Sequence, residues 1–224
     1  MKLIKIDPAN PEKKKLKAAV EIIKAGGLIA FPTETVYGLG ADALNPSAVA
    51  QVFEKKNRPF NQPLIIAPSS IPEIAKLVKT IPELAKRLID KFFPGPLTLI
   101  LLKSEIVPDI VTGGKEKLAL RIPDHPVALA LLKEIKRPIT ATSANLTGHP
   151  SPTAVAQVLS DFKNRLDLIL DAGPTKLGIE STILDLTDKP TILRLGAVSI
   201  EAIQSVVGQV KVPSKIKNNK ISLF

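Results

Sequence analysis

The sequence predicts an α/β fold: a single domain built on one twisted, mixed β-sheet flanked by helices. Three observations carry this. Short apolar runs such as Leu28 to Phe31 and Leu97 to Leu102 alternate with stretches of helical spacing. Glycine, proline and asparagine stand at the changes of period. Some consecutive runs are joined by connections too short for a crossover helix, so the sheet cannot be all parallel.

Leu16, Ala19, Val20 and Ile23 share a helical face after Asn10-Pro11-Glu12, and Gly26-Gly27 stops that helix. Leu28 to Phe31 reads as a buried strand, and the turn Pro32-Thr33-Glu34-Thr35 places hydroxyls at its carboxyl end. Gly38-Leu39-Gly40 reads as a turn that lets backbone pack closely after Tyr37. Asn45-Pro46 opens a second helix carrying Val49, Val52 and Phe53, which ends near Lys56. A strand at Pro63 to Ala67 precedes two short helices beginning near Ser70 and Thr80, the second with the capping-box pattern Thr80-x-x-Glu83.

After the break at Phe93-Pro94-Gly95-Pro96, strands are expected at Leu97 to Leu102, Leu118 to Ile122 and Pro138 to Ala141, with a helix from His125 to Ile135. Thr153 to Leu159 reads as helix, and Leu166 to Leu170 and Ile179 to Leu186 as extended. Thr191 to Leu195 follows through Asp188-Lys189-Pro190 as a hairpin partner, and Ser199 caps a last helix. The catalytic domain is expected to span 1–210, followed by a flexible basic tail, 211–224, that is lysine-rich and lacks periodicity.

A chain of 224 residues can bury a sizeable core, and its 45% hydrophobic and 23% charged residues exclude wholesale disorder. The N-terminus lacks the apolar segment of a signal peptide, and no apolar run approaches the ~20 residues that span a bilayer, so a cytoplasmic location is expected. Zero cysteines exclude disulfides and thiolate chemistry, and two histidines cannot form a histidine-rich zinc centre. Any metal is expected to be oxygen-bound magnesium brought by a substrate. A formal charge of +10 predicts attraction to a polyanion, ATP or RNA, although solubilising lysines at 13–17 and 211–220 also account for much of it.

Lys56-Asn57-Arg58-Pro59 and Ser143-Ala144-Asn145 pair cations with a hydroxyl and an amide near strand ends, where open α/β sheets bind ligands. With Arg121 and Glu180-Ser181-Thr182 they form a set suited to phosphate and carboxylate. The glycines fit neither a GxxxxGK[ST] phosphate loop nor GxGxxG, and no Ser/His/Asp triad is evident. Duller accounts exist for each residue. Thr33 and Thr35 can satisfy turn backbone, Tyr37 can be a core ring, Ser143 and Asn145 can cap a loop, and the cations can lie on a solvated face. His125 and His149, each beside proline, read as structural.

The strings GGLIAFPTETVYGLGADA, KNRPFNQPL, FPGPLTL, LALRIPDHP, TSANLTGHPSPT and GIESTILDL, in this order from about Ala25 to about Val206, resemble the YrdC/Sua5 family of threonylcarbamoyl-AMP synthases. The resemblance implies a YrdC-like fold with a large basic concave cavity. It also implies condensation of L-threonine, bicarbonate and ATP to threonylcarbamoyl-AMP and pyrophosphate, for t6A modification of tRNA by a downstream transferase machinery. By this resemblance Lys56, Arg58 and Ser143 are the catalytic set, and with Asn145, Ser181 and Arg194 they bind the nucleotide. Thr33, Tyr37, Arg121 and Thr182 hold threonine, no protein metal site is implied, and Mg²⁺ arrives with ATP. Many relatives carry a histidine where this chain has Ala67, and the usual RPG and DGGP appear as Arg194-Leu195-Gly196 and Asp171-Ala172-Gly173-Pro174. The chain resembles the short form of the family or a truncated long one, whose longer subtype adds a linker and a C-terminal domain. The alternatives are a protein binding double-stranded RNA or tRNA through the basic cavity, or a relative with another carbamoyl acceptor. Direct tRNA contact fits either account.

Overall fold

The computed structural model describes residues 1–217. In chain order the elements are β1 (Lys2–Lys5), α1 (Lys13–Lys24), β2 (Ile29–Phe31), β3 (Gly38–Gly40), α2 (Pro46–Lys56), β4 (Ile65–Ala67), α3 (Ile71–Leu77), α4 (Glu83–Phe92), β5 (Leu97–Leu102), α5 (Asp109–Thr112), β6 (Lys117–Leu120), α6 (Pro126–Ile135), β7 (Ile139–Thr140), β8 (Thr142–Ser143), α7 (Val155–Phe162), β9 (Leu168–Asp171), β10 (Thr182–Asp185), β11 (Thr191–Arg194), α8 (Ile200–Val207) and α9 (Ser214–Lys217).

The strands divide into two mixed sheets where the sequence suggested one. The five-stranded sheet has the order β1-β9-β2-β3-β8, and the six-stranded sheet β11-β10-β5-β6-β4-β7. The division occurs within four residues. Thr140 pairs with Ile66 of β4, whereas Ser143 pairs with Gly38 of β3, so the segment 139–143 passes from one sheet to the other. One apolar core joins Ala30, Leu39 and Ile169 of the first sheet to Leu99, Leu120 and Leu184 of the second. A second core packs α1 and α6 over Phe31 and Leu168. The predicted hairpin is present as β10 against β11, antiparallel.

Three local expectations differ. Gly38-Leu39-Gly40 is a strand, and its glycines answer to packing: a Cβ on Gly38 or Gly40 would lie 3.0 or 3.1 Å from the Phe31 ring. The helix expected from Thr80 begins at Glu83 with Pro82 before it, and no side chain caps it, because proline has no side-chain acceptor to offer. The tail expected to be flexible is tied to the fold at its start: Ile192 N–H donates to Lys211 O (2.9 Å), and Ile216 is buried in the main core. The rest of that expectation, 218–224, lies outside the described residues. Among the described residues no helix is long and apolar enough to cross a membrane.

Candidate active site

The site begins with how α2 ends. Asn45 caps its start, accepting from Ser47 N (3.1 Å) and Ala48 N (3.3 Å), with Pro46 preset for the first turn. At the other end Asn57 takes a left-handed conformation (φ 50°), and Arg58 N–H returns to Phe53 O at 2.9 Å. This reversal leaves Lys56 on the buried face of the last turn and sends Arg58 into the following loop. Both then face a cavity of about 560 Å³ at the junction of the sheets.

The Lys56 side chain is 1% exposed, unlike the solvated helix exit that sequence alone allowed. Its ammonium donates to Asn145 O at 2.6 Å and to Ser143 O. Burial, and then the Arg58 charge, pull its pKa from 10.5 down to about 7. Arg58 is fixed by donation from Nε to Gln62 O (3.2 Å) and from Nη2 to Pro63 O (2.7 Å). The two basic residues are thus anchored by backbone carbonyls, and neither has a carboxylate hydrogen-bond partner among the described residues.

The other two cavity cations are ion-paired. Arg121 immediately follows β6, and its Nη2 lies 2.8 Å from Glu34 Oε2, with both side chains about nine-tenths buried. Arg194 places Nη1 2.6 Å from Glu180 Oε2, Nε on Ser181 O (3.0 Å) and Nη2 on Ser181 Oγ (2.9 Å). Burial lowers the pKa of all three guanidinium groups below the ordinary value; Glu180 opposes this at Arg58 and Arg194, and Glu34 at Arg121. A guanidinium starts so high that all three remain cations.

Mixed pairing explains how these residues meet. β5 runs antiparallel to β6 and parallel to β10. The carboxyl end of β6, bearing Arg121, therefore lies beside the amino ends of β5 and β10, bearing Thr98 and Ser181. The hydroxyls of Thr98 and Ser181 are 2.7 Å apart.

Of the residues expected at the site, Lys56, Arg58, Arg121, Ser143, Asn145, Ser181 and Arg194 all line the one cavity. Thr33, Tyr37 and Thr182 do not, and their hydroxyls are engaged inside the fold. Thr33 Oγ1 donates to Val36 O (2.6 Å), and Thr182 Oγ1 to Val198 O (2.6 Å). Tyr37 OH donates to Gly173 O at 2.7 Å, and burial pushes its pKa up to about 12. In this structure these three hydroxyls brace the turns around the site. Asn145 uses both amide hydrogens on Leu146 O (3.0 Å) and His149 O (2.7 Å), so it holds a loop and has no N–H left to donate to a phosphate.

Sequence reasoning gave no role in binding to Thr35, Gln62 or Ser151, which line the cavity, or to Glu34 behind Arg121. All four fall within the strings PTET, NQPL and HPSPT, so their neighbourhood was marked even though their function was not. His149, read as structural, also lines the cavity while its Nδ1 sits 2.9 Å from Asp161 Oδ1. His125 caps α6, its Nδ1 accepting from Val127 N at 3.2 Å. Ala67 packs in the core beneath α6.

Comparison with known proteins gives a consistent result. The Sua5_yciO_yrdC family model, described as telomere recombination, matches residues 21–196. The threonylcarbamoyl-AMP synthase of Pyrococcus abyssi (strain GE5 / Orsay) is 48% identical over 202 residues, which make up 90% of this chain and 59% of that protein. The putative threonylcarbamoyl-AMP synthase of Mycobacterium tuberculosis (strain ATCC 25618 / H37Rv) is 40% identical over 205 residues, 90% of this chain and 94% of that protein. The crystal structure of P. abyssi Sua5 complexed with L-threonine superposes with a TM-score of 0.93 at 45% identity, covering 95% of this chain and 63% of that one. The chain therefore spans about three fifths of the length of the Pyrococcus proteins it matches. With its two mixed sheets, its cavity at their junction and its sequence matched from residue 21 to residue 196, the chain belongs to the Sua5/YrdC family.

Proposed function

We propose that the chain is a threonylcarbamoyl-AMP synthase, condensing L-threonine, bicarbonate and ATP to threonylcarbamoyl-AMP and pyrophosphate. The observation that carries this reading is the convergence of Lys56, Arg58, Arg121 and Arg194 with Ser143 and Ser181 on one cavity. It is supported by relatives that bear this name and by the P. abyssi Sua5 complex with L-threonine.

The chemistry asks for such a cavity. Threonine's ammonium and bicarbonate combine to a carbamate anion, releasing water and one proton. A carbamate oxygen then attacks the α-phosphorus of ATP, and the bond to the bridging oxygen breaks to release pyrophosphate. Two anions must approach each other, and cations already in place lower the cost of that approach. Lys56 and Arg58 neutralise the polyphosphate, and the Ser143 hydroxyl donates to a phosphoryl oxygen. Arg194 and Ser181 add contacts on the nucleotide side. Arg121 offers its planar fork to the threonine carboxylate, with Thr35 and Ser181 beside it.

Mg²⁺ would enter with ATP as its counter-ion and supply further charge neutralisation. The carbamate is already a nucleophile, so position and exclusion of water supply the acceleration and protect a labile product. The reaction belongs to the cytoplasm, and its product would pass to a transferase acting on tRNA. Mass spectrometry of the reaction mixture with threonine, with serine and with no amino acid tests the reading. A threonylcarbamoyl-AMP mass with threonine alone is expected; ATP turnover without that mass would refute it.

A further inference from the structure

We propose that Glu34, which does not line the cavity, makes Arg121 selective for a carboxylate over a phosphate, an inference that rests on the function read above and deepens it.

The four cations of the cavity are of two kinds. Lys56 and Arg58 donate to main-chain carbonyls, which leave their formal charge uncompensated. Arg121 is half of a buried ion pair, 2.8 Å from Glu34 Oε2. Such a pair is neutral as a unit, yet the guanidinium still presents its remaining N–H groups as a planar fork. A carboxylate needs that fork and carries a single charge. A phosphate group carries more charge and meets stronger repulsion from Glu34, whose Oε1 has no hydrogen-bond partner among the described residues. Without Glu34, every cation at this end of the cavity except Arg194 would attract the triphosphate or released pyrophosphate. These would then compete with the amino acid for its own position.

Glu34 lies outside the cavity lining, so it acts through Arg121 and is a positioning residue. Its main chain reinforces the arrangement: Glu34 O accepts from Leu177 N at 2.8 Å, tying the turn after β2 to the segment that leads to Glu180 and Ser181. Glu180 pairs with Arg194 in a comparable way but lines the cavity itself and also accepts from Ser151 Oγ at 2.6 Å. Only Glu34 of these two is withdrawn from the cavity lining.

The test is titration calorimetry of L-threonine into the full chain at rising inorganic phosphate, with ionic strength held constant by chloride. Wild type, Glu34→Gln and Glu34→Ala are compared. In wild type, phosphate should change the threonine dissociation constant by less than about twofold. Glu34→Gln keeps an oxygen for Arg121 and should still bind threonine, but saturating phosphate should weaken that binding by about tenfold. Glu34→Ala, which releases Arg121, should lose about tenfold or more without phosphate. Phosphate-insensitive binding by Glu34→Gln would overturn the inference, as would equal loss in both variants without competition. Failure of wild type to bind threonine at all would instead overturn the proposed function.

Discussion

The Lys56 ammonium donates to the backbone carbonyl of Asn145 at 2.6 Å, joining the end of α2 to the loop that follows β8. The segments are 89 residues apart in sequence. One side chain thus serves the fold and the site, because the carbonyls that tolerate a buried cation also aim it at the cavity. Lys56→Ala should lose nucleotide binding and also stability, about 1–3 kcal/mol for each carbonyl left without a donor. Denaturant unfolding beside nucleotide titration checks both losses; an unchanged midpoint would contradict the structural half.

Lys56 also makes the site sensitive to pH. Its folded pKa, about 7, lies below the 10.5 of the unfolded chain, so between those values the unfolded state binds more protons. This group's contribution to stability therefore rises with pH across that window, and its penalty is fully present below it. Polyanion binding has the opposite dependence, since it needs the ammonium. ATP affinity should fall as pH rises past about 7, and binding near pH 8 should take up a proton. Calorimetry in buffers of different ionisation enthalpy reads that uptake directly, and a buffer-independent enthalpy would contradict it.

Arg58 is held as a fork by Gln62 O and Pro63 O, an arrangement that lysine cannot reproduce. Arg58→Lys and Arg58→Ala should both weaken ATP binding, by about 10- to 100-fold, while threonine affinity stays within about twofold. Separate titrations of each ligand distinguish this from a general collapse of the site.

Tyr37→Phe separates a bracing role of the tyrosine from a threonine contact. The hydroxyl donates to Gly173 O and accepts from Ala172 N (3.3 Å), so its removal should cost about 1–2 kcal/mol of stability. The Michaelis constant for threonine should not move. A large rise in that constant with intact stability would make Tyr37 a ligand contact instead.

Gly196 lies where no side chain fits. A Cβ there would stand 2.3 Å from Glu180 O and 2.5 Å from Thr182 N, all of it backbone that leads into the site. Gly196→Ala should displace Ser181 and Arg194, cost about 1–3 kcal/mol and reduce turnover more than Gly114→Ala, whose Cβ has open space but whose φ is +76°. Thermal unfolding and turnover of the two variants provide the comparison.

Periodicity and punctuation made most of the fold legible. Leu16, Ala19, Val20 and Ile23 do form the buried face of α1, and Asn45 and Ser199 do cap their helices. β1 was missed because Lys2 to Lys5 is mostly exposed and lacks the apolar run of a central strand. β3 was missed because two of its residues are glycines, whose reason is the Phe31 ring across the sheet. The split into two sheets depends on pairing partners of Thr140 and Ser143, which local pattern does not encode.

At the site, residue types and motif order marked the loops that converge, whereas the long-range pairs Arg121 with Glu34 and Arg194 with Glu180 were not legible. The first joins residues 87 apart, so no spacing rule reaches it. Nor could sequence distinguish a threonine that lines the cavity, as Thr35 does, from one that does not, as Thr33.

The most direct test of the account is pyrophosphate release by the purified chain with ATP, L-threonine and bicarbonate, each omitted in turn. Release that requires all three, and is lost in Arg58→Ala, is the expected result. Release independent of threonine or bicarbonate, or undiminished in that variant, would contradict the claim that this cavity joins a triphosphate to an amino-acid carbamate.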